Sequence, residues 1–276
     1  MTETAATSVQ QEIARDLQVS QTFDAHHEIE RRVVFLAGQL ISTGLRSLVL
    51  GISGGVDSMT AGRLCQLAAE RVRATGREAV FFAMRLPYGT QADEKDAQRA
   101  LEFIGPDQVL TVDVRPASDA ALQALLAGGV TFRDAHQQDF VHGNIKARQR
   151  MIAQFAVAGA HDGLVVGTDH AAEAVSGFFT KFGDGAADVV PLTGLTKRRV
   201  RALAQALGAP DELITKTPTA DLETLSPGKP DEDALGVTYD DIDDLLEGKP
   251  VGEAAFAAIV GRYRLTAHKR QLPITP

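Results

Sequence analysis

The segment Ser47-Leu-Val-Leu-Gly-Ile-Ser-Gly-Gly-Val-Asp-Ser58 constrains this chain more than any other. The apolar run Leu48–Leu50 reads as a buried strand, Ser53-Gly54-Gly55 as a turn, and a helical pattern opens at Asp57-Ser58. Glycines let backbone N–H groups approach an anion closely, and a helix N-terminus adds partial positive charge. The segment therefore reads as a phosphate cradle. The Lys-Ser/Thr pair of the common nucleoside-triphosphate loop is missing. In a plain glycine turn, Asp57 and Ser58 would serve only as helix caps.

The rest of the chain repeats the strand–helix alternation. Helical patterns are expected over Val9–Gly44, Ser58–Ala74, Ala92–Ile104, Ala117–Leu126 and Phe140–Ala160. Strands are expected at Arg46–Ile52, Glu78–Arg85, Gln108–Val112 and Gly163–Gly167. This order implies an α/β fold, a doubly wound parallel sheet with flanking helices. In such sheets ligands bind at the carboxyl ends of strands. The phosphate turn, Arg85–Gln91 and Gly167–Glu173 all fall at such ends. Beyond Val175 the sheet signal fades. Helices are expected at Thr196–Leu207, Tyr239–Leu246 and Glu253–Thr266, and the proline-rich Thr215–Asp233 reads as a lid or linker.

The net charge of −8 over 276 residues argues against a nucleic-acid partner and fits a small-molecule substrate. There is no membrane-spanning run and no signal pattern, so a cytoplasmic location is expected. The single cysteine, Cys65, falls on an apolar helical face and reads as a buried structural thiol.

Gly167-Thr-Asp-His-Ala-Ala-Glu173 supplies Thr168 for a nucleotide, Asp169 as a helix cap, and Glu173 one turn on. Glu173 and Asp57 could share a Mg²⁺, which wants one or two carboxylates plus phosphate oxygens. Acids complementing a helix dipole would look the same. Lys181 and Asp184 flank a glycine turn, as residues of a solvated loop also would. Lys146 and Arg150 read as a basic helix start facing an anion or solvent. Lys197, Arg198, Arg199 and Arg201 would stabilise charge on a departing pyrophosphate.

Ser-Gly-Gly-x-Asp-Ser resembles the pyrophosphate loop of the ATP pyrophosphatases. The wider set of motifs resembles the ammonia-dependent NAD synthetases. It comprises Gly51–Ser58, Arg85-Leu-Pro-Tyr-Gly89 with Gln91-Ala-Asp-Glu94, Gly143-Asn144 with Lys146-Ala-Arg148, and Gly167–Glu173. Gly177–Gly185, Leu195-Thr-Lys197, Pro218-Thr-Ala-Asp-Leu222 and His268-Lys269-Arg270 complete it. The resemblance implies a Rossmann-like, adenine-nucleotide-alpha-hydrolase-like sheet. It implies a carbon–nitrogen ligase that adenylates deamido-NAD with ATP, then lets ammonia expel AMP.

By the same resemblance, Gly51, Ile52, Ser53, Gly54, Gly55, Val56, Asp57 and Ser58 would hold ATP, with Arg85, Thr168, Lys197 and Thr219. Asn144, Arg148, Lys181, Asp188, His268 and Lys269 would bind deamido-NAD. Asp57 and Glu173 would carry Mg²⁺. Asp57, Lys181 and Asp184 would serve catalysis, Asp184 near ammonia as orienter or proton acceptor. Val56 stands where many relatives have Gln, and its side chain is expected to face the sheet.

The implied organisation is one synthetase domain over 1–276: N-terminal helices (1–44), pyrophosphatase core (45–215), then lid loop and C-terminal helices (216–276). No glutaminase domain is expected, so free ammonia is the donor. A homodimer is implied, with Phe140–Ala160 and the N-terminal helices as candidate contacts. Rival readings are another ATP pyrophosphatase, such as a tRNA-modifying ligase, and an ATP-sensing module without chemistry.

Overall fold

The computed structural model describes residues 3–89, 94–219, 222–225, 228–271, 273 and 275, with the side chains of 3–6 excepted. The chain opens with α1 (Glu3–Asp16) and α2 (Ala25–Thr43). The alternating part follows: β1 (Ser47–Gly51), α3 (Val56–Arg73), β2 (Val80–Arg85), α4 (Glu94–Ile104), β3 (Gln108–Thr111), α5 (Arg115–Ala127), α6 (Ala135–Ala160), β4 (Gly163–Val165) and α7 (Ala171–Ser176). The last third is helical: α8 (Lys197–Ala206), α9 (Asp211–Ile214), α10 (Asp231–Leu235), α11 (Tyr239–Leu246), α12 (Glu253–Leu265) and α13 (Ala267–Arg270).

The four strands form a parallel sheet in the order β3-β2-β1-β4, with Leu48 opposite Phe81 and Leu164. The period of two is visible in the packing. Leu48 and Leu50 point into a core shared with α2, α3 and α8, whereas Val49 points into the opposite layer, against Ala158 of α6. Val56 and Cys65 lie in the first core, as expected; burial pushes the Cys65 thiol up. A third cluster joins α1 to α7, α11 and α12. The two N-terminal helices thus serve different layers.

Three boundaries depart from the sequence reading. Val9–Gly44 is broken, because Gln18 adopts φ 58° and Asp24 caps a new helix by accepting the His27 N–H at 2.8 Å. α6 begins five residues early, where Asp134 accepts the Gln137 N–H, so Lys146 and Arg150 lie in a helix interior rather than at its start. A further parallel bridge pairs Val189 with Val166 beyond β4. Pro191 follows two residues later, so the segment is too short for a strand pattern. The expected helix start at Ala92, with Gln91 and Asp93, lies outside the described residues, as do Ala220, Asp221 and Pro227. No described helix is long and apolar enough to cross a membrane.

Candidate active site

The carboxyl ends of β1 and β4 open into a cavity of about 460 Å³. The turn after β1 forms one wall. Gly54 has φ 88°, and a Cβ there would come within 2.9 Å of the Ala97 backbone nitrogen, so only glycine lets α4 approach. Ser58 Oγ accepts the Ser53 N–H at 3.2 Å and donates to the Gly55 carbonyl at 3.2 Å, holding the turn shut on itself. The N-cap of α3 is Gly55, and no side chain caps it. Asp57 and Ser58 therefore do not serve as caps. The first turn of α3 instead faces the cavity through Gly55, Val56, Asp57 and Ser58.

Asp57 is bound elsewhere. Its Oδ2 accepts from Lys197 Nζ at 2.7 Å, and its Oδ1 lies 3.4 Å from His170 Nε2. His170 Nε2 is 3.8 Å from Glu173 Oε2, and the three residues offer ligand atoms all within 4.8 Å of one another. Lys197 is only 1 % exposed. It is delivered by the start of α8, where Asp243 of α11 accepts the N–H groups of Lys197 and Arg198 at 3.0 and 2.7 Å.

The electrostatics are lopsided. Burial pushes the Asp57 carboxyl up, but Lys197 and His170 outweigh it and hold Asp57 well below the usual range. Burial and the Asp57 charge drive Glu173 well above its ordinary value. Burial, then Asp184 and Asp57, push Asp169 up to about 7. Burial also raises Asp184, against the N–H it accepts from Thr180. Burial would lower Lys197, but Asp57 and Glu173 more than offset that and raise it. Lys197 thus stands against Asp57 and Glu173 together, while Arg150 and Lys269 act on Asp184. Asp57 Oδ1 is buried without a hydrogen-bond partner. A divalent cation would relieve both features, and carboxylate oxygens are the donors that Mg²⁺ takes.

The other sequence candidates divide. Gly51, Ile52, Ser53, Asn144, Thr168, Asp184, Thr219 and Lys269 line the same cavity. Asn144 Oδ1 accepts from Thr180 Oγ1 at 2.9 Å, and Lys269 Nζ donates to the Gly177 and Phe179 carbonyls at 2.9 and 2.8 Å. Arg85 lies off the walls, 2 % exposed, with its guanidinium forked onto Glu94 at 3.0 and 2.9 Å. Asp188 Oδ2 accepts the Val165 N–H at 2.7 Å and so secures the sheet edge. Arg148, Lys181 and His268 form a second cluster. Arg148 Nη2 donates to the Lys181 carbonyl at 3.2 Å and Lys181 Nζ to the His268 carbonyl at 2.5 Å.

Two readings are corrected. Asp169 does not cap α7; His170 occupies that position without a side-chain cap bond. Of the four α8 cations, Lys197 alone lines the cavity. Arg198 pairs with Asp240, Asp244 and Glu247, and Arg199 with Glu247 and the Ser20 carbonyl. The sequence reading also missed His170 and Gln154, whose Oε1 accepts the Gly51 N–H at 2.8 Å. His170-x-x-Glu173 has the i, i+3 spacing that puts two donors on one helical face, a signal that could have been read.

Residues 28–273 match the model of the NAD synthase family. The chain belongs to that family. It is 76 % identical, over all of both chains, to a protein of Streptomyces coelicolor named NH(3)-dependent NAD(+) synthetase. The crystal structure of a Burkholderia pseudomallei NAD+ synthetase superposes with a TM-score of 0.85 at 62 % identity, covering 97 % of this chain and 98 % of that one. A Francisella tularensis protein described as an NMN synthetase gives 0.80 at 33 % identity, over 92 % and 99 %. Similar proteins thus carry the same sheet and helical layers.

Proposed function

We propose that this family member amidates the nicotinate carboxylate of deamido-NAD with ammonia at the expense of ATP, releasing AMP and pyrophosphate. The observation that carries the reading is the convergence of the Ser53–Ser58 turn, Asp57, Glu173 and Lys197 on one cavity. The 76 % identity to an NH(3)-dependent synthetase supports ammonia as donor. A carboxylate is a poor acyl donor because its oxygen leaves badly. Attack of that carboxylate on the α-phosphorus expels pyrophosphate and yields an acyl-adenylate, whose AMP leaves readily.

The turn and the first N–H groups of α3 hold phosphate oxygens. Lys197, already charged and buried, stabilises the negative charge that develops on them. Asp57 and Glu173 would hold Mg²⁺, which supplies further charge neutralisation on the phosphates. Thr168 and Thr219 bind ATP from the facing walls, and Arg85 supports that wall through Glu94. Asn144, Lys269 and the Arg148–Lys181–His268 cluster receive deamido-NAD, with Asp188 setting the strand edge beneath. Asp184, lining the cavity with a raised proton affinity, orients ammonia and takes its proton. The chain works as one cytoplasmic unit and as a homodimer. Exposed Phe140, Ile152 and Phe155 on α6, and Val34, Phe35 and Ile41 on α2, favour those helices as the contact.

The test is product analysis with Mg-ATP, ammonium or glutamine, and either deamido-NAD or nicotinate mononucleotide, the acid of the Francisella protein's named product. NAD and AMP in equal amounts from ammonium and deamido-NAD are expected, and none from folded Asp57→Asn. AMP without an amidated product, or no AMP at all, overturns the assignment.

A further inference from the structure

Lys146 is one turn from Arg150 on α6, yet it does not line the cavity. It is 3 % exposed. Its Nζ donates to the Leu222 carbonyl at 2.9 Å and to Thr224 Oγ1 at 2.9 Å, and lies 4.2 Å from the centre of the Tyr88 ring. Two loops far apart in sequence therefore meet on one ammonium. Each is also secured separately. Asp139, two turns earlier on α6, accepts the N–H groups of Thr224 and Leu225 at 2.9 and 2.8 Å. Gly143 lies between them, where a Cβ would come within 3.2 Å of Leu222. Positions 139, 143 and 146 fall on one helical face, a track fitted to residues 222–225. Tyr88 donates its hydroxyl to Asp119 at 2.6 Å and meets the His142 ring edge-on at 5.6 Å.

Burying an ammonium costs free energy unless every partner is present. If packing alone were needed, an apolar side chain would serve better. Here the partners come from both loops, so each loop's position depends on the other. Both loops border the cavity, through Leu86 on one side and Leu222 and Glu223 on the other. Resting on the function above, we infer that Lys146 is a positioning residue, a clasp that keeps the two loops jointly closed over the acyl-adenylate. Its role is to exclude water until ammonia attacks.

The failure it prevents has a defined chemistry. Water attacks the activated carbonyl in place of ammonia, and the carbonyl–oxygen bond to AMP breaks. The water oxygen stays as carboxylate, two protons are released, and deamido-NAD and AMP result. ATP is then consumed without NAD. Losing charge-assisted hydrogen bonds should raise the open population by about tenfold.

Lys146→Met keeps the stem and removes the charge. With Mg-ATP, deamido-NAD and ammonium, AMP should exceed NAD. The excess should shrink as ammonium is raised, because the two nucleophiles compete. Lys146→Arg should restore part of the coupling. Thr224→Val, which leaves α6 intact, should uncouple in the same direction and serves if Lys146→Met does not fold. Equal AMP and NAD in the folded variants, at whatever rate, overturn the clasp. Failure of the wild type to make NAD would instead overturn the function it rests on.

Discussion

Asp169→Asn should stabilise the metal-free protein, and only at the right pH. Asp169 sits where burial and the charges of Asp184 and Asp57 raise its carboxyl from 3.8 to about 7. Between those values the folded state holds a proton that the unfolded state has released. Stability therefore falls as pH rises through that window, and the penalty is complete above it. At about 1.4 kcal/mol per pKa unit, the full gap corresponds to about 4 kcal/mol. Asp169 is only partly buried and shares its repulsion with neighbouring acids, so about 2 kcal/mol is the better expectation at pH 8. Asparagine keeps the shape and removes the charge. In thermal melts with EDTA, the variant should gain about 4 °C at pH 8. A penalty of about 2 kcal/mol spans only about 1.5 pH units above 3.8, so the gain should fall to less than half by pH 4. Equal gains at both pH values, or a loss at pH 8, would refute the carboxylate-crowding argument.

Lys197→Met leaves the buried Asp57 charge without its ammonium and should cost about 3–5 kcal/mol in urea denaturation, with loss of NAD formation. Adding Asp57→Asn to it should recover most of that stability and none of the activity; strictly additive losses would contradict the pairing. Gly54→Ala must place a side chain at φ 88° against the Ala97 backbone, so about 1–3 kcal/mol of stability should go, together with weaker ATP binding. A variant with an unchanged melting point and unchanged KM for ATP would show that α4 does not need the glycine.

The parts of this molecule legible in its sequence are those whose cause is local. The β1–α3 turn is written in three consecutive residues, because a strand end, a left-handed glycine and a helix start are all short-range facts. The unbroken apolar run Leu48–Leu50 is likewise a short-range signal, that of a strand buried on both faces, although which residue enters which core is seen only in the packing. The charge arrangement is not local. Four neighbouring cations opened α8, yet burial and partner placement sent Arg198 to the acids of α11 and Lys197 to Asp57, 140 residues away. No spacing along α8 distinguishes the two fates. They are decided by which acid the fold brings within reach. His170 carried one local signal, its spacing from Glu173, but its other neighbour in space, Asp57, lies in the first turn of α3 and no local spacing reports it. Lys146 shows the converse case, a cation that pattern alone left facing either an anion or solvent but that the fold commits to a loop carbonyl, a hydroxyl and an aromatic ring. Motifs therefore located the cavity, while the division of its charged residues between chemistry and architecture depended on long-range pairing. A cation near a phosphate turn should accordingly be assigned to chemistry only after every carboxylate and carbonyl within its reach has been accounted for.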